Sequence, residues 1–450
     1  MKCIEDEIPF ELPEGWEWCR VRDIAAVKGG KRLPKGVGFS PCRTAHAYIR
    51  VTDMKNHCIN TDDLKYISEE VFLQIKNYTI SKDDLYVTIA GTIGVTGEVP
   101  TELDGMNLTE NAVKITNIQI NKNYLCLIIQ SEFVQQQFQD KTHQVAMPKL
   151  ALERILSTLI PVCTITTQSA MVSKFVEMDS LINQIREEKE ILAETVSLTK
   201  SKILDLAIRG KLVPQNPDDE PASVLLERIR AEKEELIKAG KIKRDKKESI
   251  IFKGDDNSYY LRTDGIEESL EDWRFDDLPE TWKLCCLGEL CDYGDCINVN
   301  TEDIAENAWI LDLEDIEKDT GMVLKKVTKA QRNSVSTKHK FHSRQVLYSK
   351  LRPYLNKVVL SDADGYCTSE ILPLEFKNCV LPEYARYYLM SSTFIAYANH
   401  CSYGVKMPRL GTTDGKKAIF SLPPLSEQKR IVETIDFCFM QLNKISEALA

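Results

Sequence analysis

The side chains in this sequence that are best suited to chemistry are ten basic residues between positions 320 and 361. No Asp or Glu interrupts this segment. A run of one charge sign inside a folded module is typical of a surface that binds phosphate groups, whereas a solvated face usually mixes signs. The segment predicts nucleic-acid binding, with the candidate contacts Lys325, Lys326, Lys329, Arg332, Lys338, Lys350, Arg352 and Tyr354.

A smaller basic cluster lies near the start of the chain, and a solvated face explains it almost as well as nucleic-acid binding. Its candidate contacts are Lys31, Arg32, Lys35, Arg43 and Arg50. The net charge of −10 does not exclude an anionic partner, because the charges are segregated and residues 245–280 alone carry a net charge of −7.

Motifs for catalysis and metal binding are weak. The fourteen cysteines include no Cys-x-x-Cys pair, and His339-x-x-His342 has no carboxylate beside it. Residues 411–417 are one residue short of a phosphate loop and lack the Ser or Thr after its lysine. We find no nucleophile with a base and no adenine-methyltransferase signature. The sequence therefore predicts no catalytic residue, no metal site and no cofactor in this chain.

The elements that must position the basic residues occur twice, at an offset of 260 residues. Residues 145–150, Val-Ala-Met-Pro-Lys-Leu, recur at 405–410 as Val-Lys-Met-Pro-Arg-Leu, and Gln168 matches Gln428. A period this long indicates two copies of one large module rather than a solenoid. The recurring motif adds three candidate contacts, which are Lys149, Lys406 and Arg409.

Each copy mixes strands with helices. Segments rich in β-branched and aromatic residues predict strands at 48–51, 85–89, 309–311 and 357–360. Helices are predicted at 124–138 and 382–398.

Each copy is followed by apolar residues that repeat with alternating steps of four and three. This heptad period favours packing of helix on helix over packing of each helix on its own domain. Each set of repeating apolar residues forms a seam along its helix. The seam after the second copy ends at Leu449, so part of the seam after the first copy is expected to lack a partner helix and to bend. The main seam residues are Phe175, Ile182, Ile185, Leu192, Ile203, Ile435, Leu442 and Ile445.

These patterns divide the chain into five predicted regions. A further helix is expected from Pro221 to Gly240. The regions are a first globular domain at 1–165, a central helical spacer at 166–244, an acidic linker at 245–277, a second globular domain at 278–424 and a distal short helical spacer at 425–450.

Three local sequences, spread from near the start of the chain to near its end, resemble those of one family. Residues 8–16, Ile-Pro-Phe-Glu-Leu-Pro-Glu-Gly-Trp, resemble the entry into its recognition domain, and 202–214 resemble the end of its central helix. Residues 421–432, which contain Leu-Pro-Pro-Leu-Ser-Glu-Gln, resemble its exit into a helix. The family is that of the DNA-specificity subunits of type I restriction–modification systems.

The resemblance implies an α/β (α+β) fold with two similar globular target-recognition domains, separated by long helices that form an antiparallel coiled coil. It implies that each domain reads one half of a split site in double-stranded DNA. It also implies two methyltransferase (modification) subunits, which carry S-adenosylmethionine, and restriction/translocase subunits, which use ATP and Mg²⁺.

A second interpretation from another class is a coiled-coil adaptor with two protein-binding domains, in which an acidic partner occupies 320–361. Either protein is expected in the cytoplasm. No run approaches the ~20 apolar residues of a membrane span, and the acidic start has no signal-peptide core.

Overall fold

The computed structural model describes residues 7–139, 149–241, 249–273, 275, 277–332 and 335–449. The chain divides into two compact units, residues 1–186 and 187–450. None of the helices in these residues is long and apolar enough to cross a membrane.

The first unit is built from short strands and helices. Its strands are β1 (Glu17–Arg20), β2 (Ala26–Gly29), β3 (His46–Ile49), β4 (Met54–Lys55), β5 (Cys58–Ile59), β6 (Lys65–Ile67), β7 (Thr79–Ile80), β8 (Leu85–Thr88), β9 (Thr96–Glu98), β10 (Met106–Leu108), β11 (Ala112–Thr116) and β12 (Leu159–Val162). Its helices are α1 (Val21–Ile24), α2 (Glu69–Ile75), α3 (Lys122–Gln130), α4 (Glu132–Gln139) and α5 (Leu152–Leu156). The long helix α6 (Ile165–Ile208) begins here and continues into the second unit.

The second unit repeats this plan with additions. Its strands are β13 (Ser249–Lys253), β14 (Tyr259–Thr263), β15 (Ile266–Ser269), β16 (Lys283–Cys286), β17 (Ile297–Val299), β18 (Trp309–Leu311), β19 (Val327–Thr328), β20 (Lys338–Phe341), β21 (Val346–Ser349), β22 (Val358–Leu360), β23 (Gly365–Thr368), β24 (Ile371–Leu374) and β25 (Ile419–Leu422). Its helices are α7 (Ala222–Lys238), α8 (Leu287–Leu290), α9 (Pro382–Leu389), α10 (Ser392–His400), α11 (Thr412–Lys417) and α12 (Leu425–Leu449).

The duplication predicted from the sequence is also seen in the strand pairing. In the first unit β1 and β12 are antiparallel, with Glu17 opposite Val162, and in the second β16 and β25 place Lys283 opposite Leu422. Each copy also contains one parallel pair, β3 with β10 and β18 with β23. The cores lie between these sheets and the helices that follow them, α3 and α4 in one copy and α9 and α10 in the other.

The matching glutamines hold the same joint in both copies. The buried Gln168 amide accepts from the Asn121 N–H at 2.9 Å and donates to the Cys163 carbonyl at 2.7 Å. Gln428 likewise accepts from the Leu381 N–H at 2.8 Å and donates to the carbonyls of Cys379 and Pro423. Each amide thereby ties the start of the long helix to the segment that begins α3 or α9.

We expect Gln428→Ala to lower the free energy of unfolding by about 2–4 kcal/mol, because it removes the partner of the Leu381 N–H and of the buried Cys379 and Pro423 carbonyls. Urea unfolding of the full chain measures the change. Gln441→Ala removes an exposed amide from the same helix and should change stability by less than about 0.5 kcal/mol. Equal stability losses in the two variants would show that the joint does not depend on this amide.

Both predicted helices are interrupted at a serine in equivalent positions. The Ser131 hydroxyl accepts from the Val134 N–H at 3.4 Å, and the Ser391 hydroxyl accepts from the Phe394 N–H at 3.3 Å. A serine in this role starts a new helix, so 124–138 and 382–398 are each two helices rather than one. The strand predicted at 48–51 ends at Ile49 and is followed by a 3-10 turn over Val51–Asp53.

The predicted acidic linker at 245–277 is folded over most of its described length. Strands β13, β14 and β15 form an antiparallel sheet, and the β14–β15 turn has positive φ at Asp264 and Gly265, as a tight hairpin requires. Ile251 and Leu261 pack against Leu284 of β16. The described acids are exposed, so the composition of this segment resembles that of a linker although Ile251, Leu261 and Leu270 are buried.

Helix α12 runs antiparallel to the end of α6 within the second unit. Ser421 Oγ lies 2.6 Å from the Ile208 carbonyl, and Lys200 Nζ lies 2.7 Å from Asn443 Oδ1. Of the predicted seam residues, Ile435 is buried and Ile203 is half-buried.

The other seam residues are more open. Leu442 is partly exposed, and Phe175, Ile182, Ile185, Leu192 and Ile445 are exposed. Helix packing therefore covers only the end of the first seam.

Candidate nucleic-acid interface

Two loops singled out from the sequence meet at one edge of the second unit. The Arg352 N–H donates to the Pro408 carbonyl at 2.7 Å, and the Leu410 N–H donates to the Lys350 carbonyl at 3.0 Å. Residues 349–354 and 403–410 therefore form one surface, which we call the paired loop. Tyr403 and Arg409 exchange two backbone hydrogen bonds, which fold residues 403–409 into a tight hairpin.

The paired loop combines cations with exposed apolar side chains. Lys406 is exposed, Lys350 and Arg352 are half-buried, and Tyr354 is exposed. Lys350, Arg352 and Lys406 form no ion pair with any carboxylate of the described residues. The hairpin adds exposed groups that sequence reasoning missed, namely Tyr403, Val405 and Met407. Free cations beside exposed apolar groups can contact both phosphates and base edges.

Arg409 has a different role from the other cations of the paired loop. Its guanidinium binds Glu370 at two atoms, with Nη2 2.9 Å from Oε1 and Nε 3.0 Å from Oε2. The Glu370 carbonyl accepts from the Lys350 N–H at 3.0 Å. Arg409 and Glu370 thus brace the two halves of the surface.

The first copy has the same construction. The Leu150 N–H donates to the Ile89 carbonyl at 2.9 Å, and Lys149 Nζ lies 3.3 Å from the Glu110 carbonyl. Glu110 and Glu370 are themselves 260 residues apart, a signal that the repeat could have revealed. Residues 145–148 of the recurring motif lie outside the described residues.

Glu110 also organises part of the first basic cluster. Arg32 Nε lies 2.6 Å from its carboxylate, and the Tyr48 hydroxyl lies 3.3 Å from it. Although burial opposes the change, the hydrogen bond from Arg32 lowers the pKa of Glu110. Burial, reinforced by the Glu110 charge, raises the pKa of Tyr48 to about 12, so its hydroxyl stays protonated and donates.

The other basic residues of the first cluster are of two kinds: some have no carboxylate partner in the described residues, and one binds a buried carboxylate. Lys31 lies over the Tyr78 ring at 5.4 Å and Arg43 over the Tyr66 ring at 5.7 Å, while Lys35 is exposed. Arg50 instead binds the buried Asp53 carboxylate and the Asp63 carbonyl. Lys31, Lys35 and Arg43 therefore remain candidate contacts, and Arg50 is a structural cation.

The basic segment 320–361 contains fewer free cations than its sequence predicts. Arg332 binds Asp312 and Asp315, and Lys338 is buried beside Asp312. Both side chains are committed to carboxylates inside the fold, so we expect a structural role for them in place of the predicted DNA contact.

Three exposed or half-buried lysines of the segment are also paired with acids. Lys325 lies near Asp315, Lys326 binds Asp362, and Lys329 binds Glu306. Surface pairs such as that of Lys326 are weak enough to exchange for a phosphate.

No metal-binding group of three or more His, Cys, Asp or Glu side chains occurs in the residues that the structure describes. His339 is buried, and its Nδ1 lies 2.8 Å from the Ile371 carbonyl. Burial lowers the pKa of His339, so the ring is neutral and part of the core.

A family model described as the type I restriction modification DNA specificity domain matches residues 13–194 and 279–448. The chain belongs to this family. The two matched segments contain the two copies of the fold, and the adaptor interpretation is not favoured.

Two relatives from Escherichia coli illustrate the similarity. The type I restriction enzyme EcoAI specificity subunit is 26% identical over 515 residues, covering 98% of this chain and 80% of the relative. The EcoBI specificity subunit is 30% identical over 248 residues, covering 51% of this chain and 50% of the relative.

Solved structures share the fold. The HsdS subunit from Thermoanaerobacter tengcongensis aligns with a TM-score of 0.51 and 16% identity, covering 99% of this chain and 94% of that one. A chain from a study of complex assembly and conformational transition of the type I R-M system aligns with a TM-score of 0.57 and 16% identity, covering 98% and 94%.

Proposed function

We propose that this chain gives a type I restriction–modification complex its DNA sequence specificity, with each recognition domain reading one half of a bipartite site. The observation that carries the proposal is the duplicated loop joint, made by Leu150 with Ile89 and by Leu410 with Lys350. One scaffold thus presents two loops whose side chains differ. Two readers with different side chains suit a site whose halves differ in sequence.

Within this function, the free cations hold phosphates and position the domains, since phosphate contacts fix register without reading sequence. We assign this role to Lys31, Lys35, Arg43, Lys350 and Lys406. Arg50, Arg332, Lys338 and Arg409 hold buried or bracing carboxylates and support the loops. Lys149 and the exposed lysines of 325–329 stay candidates for weaker phosphate contacts.

The chain itself carries out no reaction in this proposal. Two modification subunits bind along the long helices α6 and α12 and supply S-adenosylmethionine, and restriction subunits join the same complex. The exposed apolar residues of α6, such as Phe175 and Ile185, agree with a helix that other chains cover.

The proposal is tested by incubating the chain, with its modification subunits, with a pool of duplexes randomised over about 20 base pairs, followed by sequencing of the bound fraction. We expect two short conserved blocks separated by a gap of fixed length. Binding without any preferred sequence would contradict the proposed function.

The clearest phosphate anchor is Lys350. We expect Lys350→Ala to weaken binding to all duplexes about equally and to reduce the slope of log K against log salt by roughly one unit. A salt titration of duplex binding, with and without the modification subunits, measures both effects.

Lys283→Ala provides a matched control, because Lys283 is exposed on β16 and forms no ion pair within the described residues. It should leave the affinity and the salt slope unchanged. A Lys350→Ala chain with the wild-type salt slope would show that the paired loop does not face the DNA backbone.

A further inference from the structure

At one position both copies have a left-handed backbone but carry different residue types. Leu150 bonds to the carbonyl of Ile89, and Leu410 bonds to that of Lys350. Two residues after each of these carbonyls the chain turns through the left-handed region, at Gly91 with φ +82° and at Arg352 with φ +51°. Gly91 and Arg352 are therefore structurally equivalent; they lie 261 residues apart, one more than the offset of the sequence motif, as do the first residues of β8 and β21.

A left-handed backbone is natural for glycine but strained for arginine, because its Cβ crowds the following carbonyl. The first copy avoids this strain and the second accepts it. Strained residues persist where the surroundings fix them and are concentrated at functional sites. An arginine at this strained position therefore suggests that its side chain has a function.

The surroundings hold the origin of this side chain in place. Leu351 and Pro353 on either side are buried, the Arg352 N–H donates to the Pro408 carbonyl at 2.7 Å, and its carbonyl accepts from Leu355 at 2.9 Å. A long side chain that leaves such a fixed point reaches a restricted region of space.

The guanidinium of Arg352 makes no hydrogen bond or ion pair with the described residues of the protein. Its buried Nε has no hydrogen-bond partner in the part of the chain that the structure describes, and no carboxylate there pairs with it. Arg332 and Arg409, by contrast, are both bound to carboxylates. An arginine that is strained, fixed and unneutralised is suited to a ligand from outside the chain.

We propose that Arg352 reads a guanine in the second half-site, a role that rests on the proposed function and replaces the phosphate contact expected for it from sequence. The planar guanidinium matches guanine O6 and N7 in the major groove. A phosphate contact does not need a fixed side-chain origin, and the neighbouring Lys350 supplies one. Gly91 gives the first domain no such reader, so the two domains differ at this point.

The test uses the complex with modification subunits and a pool of duplexes randomised one position at a time through both half-sites. The wild-type complex should prefer guanine at one position of the second half-site by about 5-fold to 100-fold. Arg352→Gly should abolish that preference and leave every other position unchanged. The variant should fold, because glycine relieves the strained backbone as Gly91 does in the first copy.

Two further variants separate base readout from charge and from backbone strain. Arg352→Lys keeps the charge but not the planar two-pronged donor, so it should weaken the guanine preference and keep the salt slope. Arg344→Gly removes another arginine of positive φ, +69°, which pairs with Glu383 at the surface. It should leave all sequence preferences as they are.

Several results would overturn the inference. One is a wild-type second half-site without a guanine preference; another is an Arg352→Gly complex that keeps that preference. A uniform loss of affinity with a salt slope smaller by about one unit would make Arg352 a phosphate anchor instead. A wild-type complex with no preference in either half would contradict the proposed function itself.

Discussion

Replacing Arg332 by alanine is expected to lower the free energy of unfolding by about 3–5 kcal/mol, which is the usual cost of leaving a buried charge without its partner. Asp315 is fully buried and accepts two hydrogen bonds from Arg332 Nη2, at 2.7 and 2.6 Å. Arg332 Nη1 lies 2.6 Å from Asp312. Without the guanidinium, both carboxylates lose their main cation. Urea unfolding of the full chain measures the loss.

The controls for this variant distinguish a structural cation from a DNA contact. Arg344→Ala breaks only an exposed pair and should cost less than about 1 kcal/mol. Arg332→Ala should cost much less when Asp315→Ala is already present, since the buried charge is then gone. If the Arg332→Ala chain kept its stability but bound DNA weakly, Arg332 would be a DNA contact rather than a structural cation.

Arg332 also shows what the sequence could not predict. Counting charges along 320–361 found no acid, but the fold brings Asp312 and Asp315 from one side of the segment and Asp362 from the other. Neutralisation depends on tertiary contacts between turns and loops that lie 17 to 36 residues apart in the chain. A charge run therefore located the basic region without separating its free cations from its paired ones.

The repeat was more informative than the charge count. The offset of 260 residues predicted two copies of one module, and it also relates the Gln168 and Gln428 joints. It relates the loop positions as well, because Leu150 and Leu410 make the same backbone hydrogen bond. These residues keep the same contacts in both copies, so each predicts the role of its counterpart; Lys149 and Arg409 differ, because only Arg409 binds the carboxylate of the repeated glutamate.

The heptad pattern predicted the long helices, and the early end of the second seam predicted that part of the first would lack a partner, but the pattern did not predict which seam residues are buried. The heptad period shows only that one face of a helix is apolar. Which element packs on that face depends on the tertiary structure. In the described residues, Ile435 is buried and Ile185 is exposed although both belong to predicted seams.

The second large effect is expected from exchanging one recognition domain. Replacing residues 249–424 with the matching part of a relative should change one half of the DNA site completely and leave the other half as it was. The exchange begins at 249 because the sheet of β13, β14 and β15 packs on β16 and should move with it. The reciprocal exchange of residues 13–164 should change only the other half.

This exchange is also the most direct test of the central claim that the chain contains two independent readers. The measurement is the set of methylated adenines in the genome of cells that express the chimera with its modification subunits, compared with cells that express the unaltered chain. We expect one new half-site and one retained half-site in every methylated sequence. A chimera that methylates sites with both halves altered would contradict it.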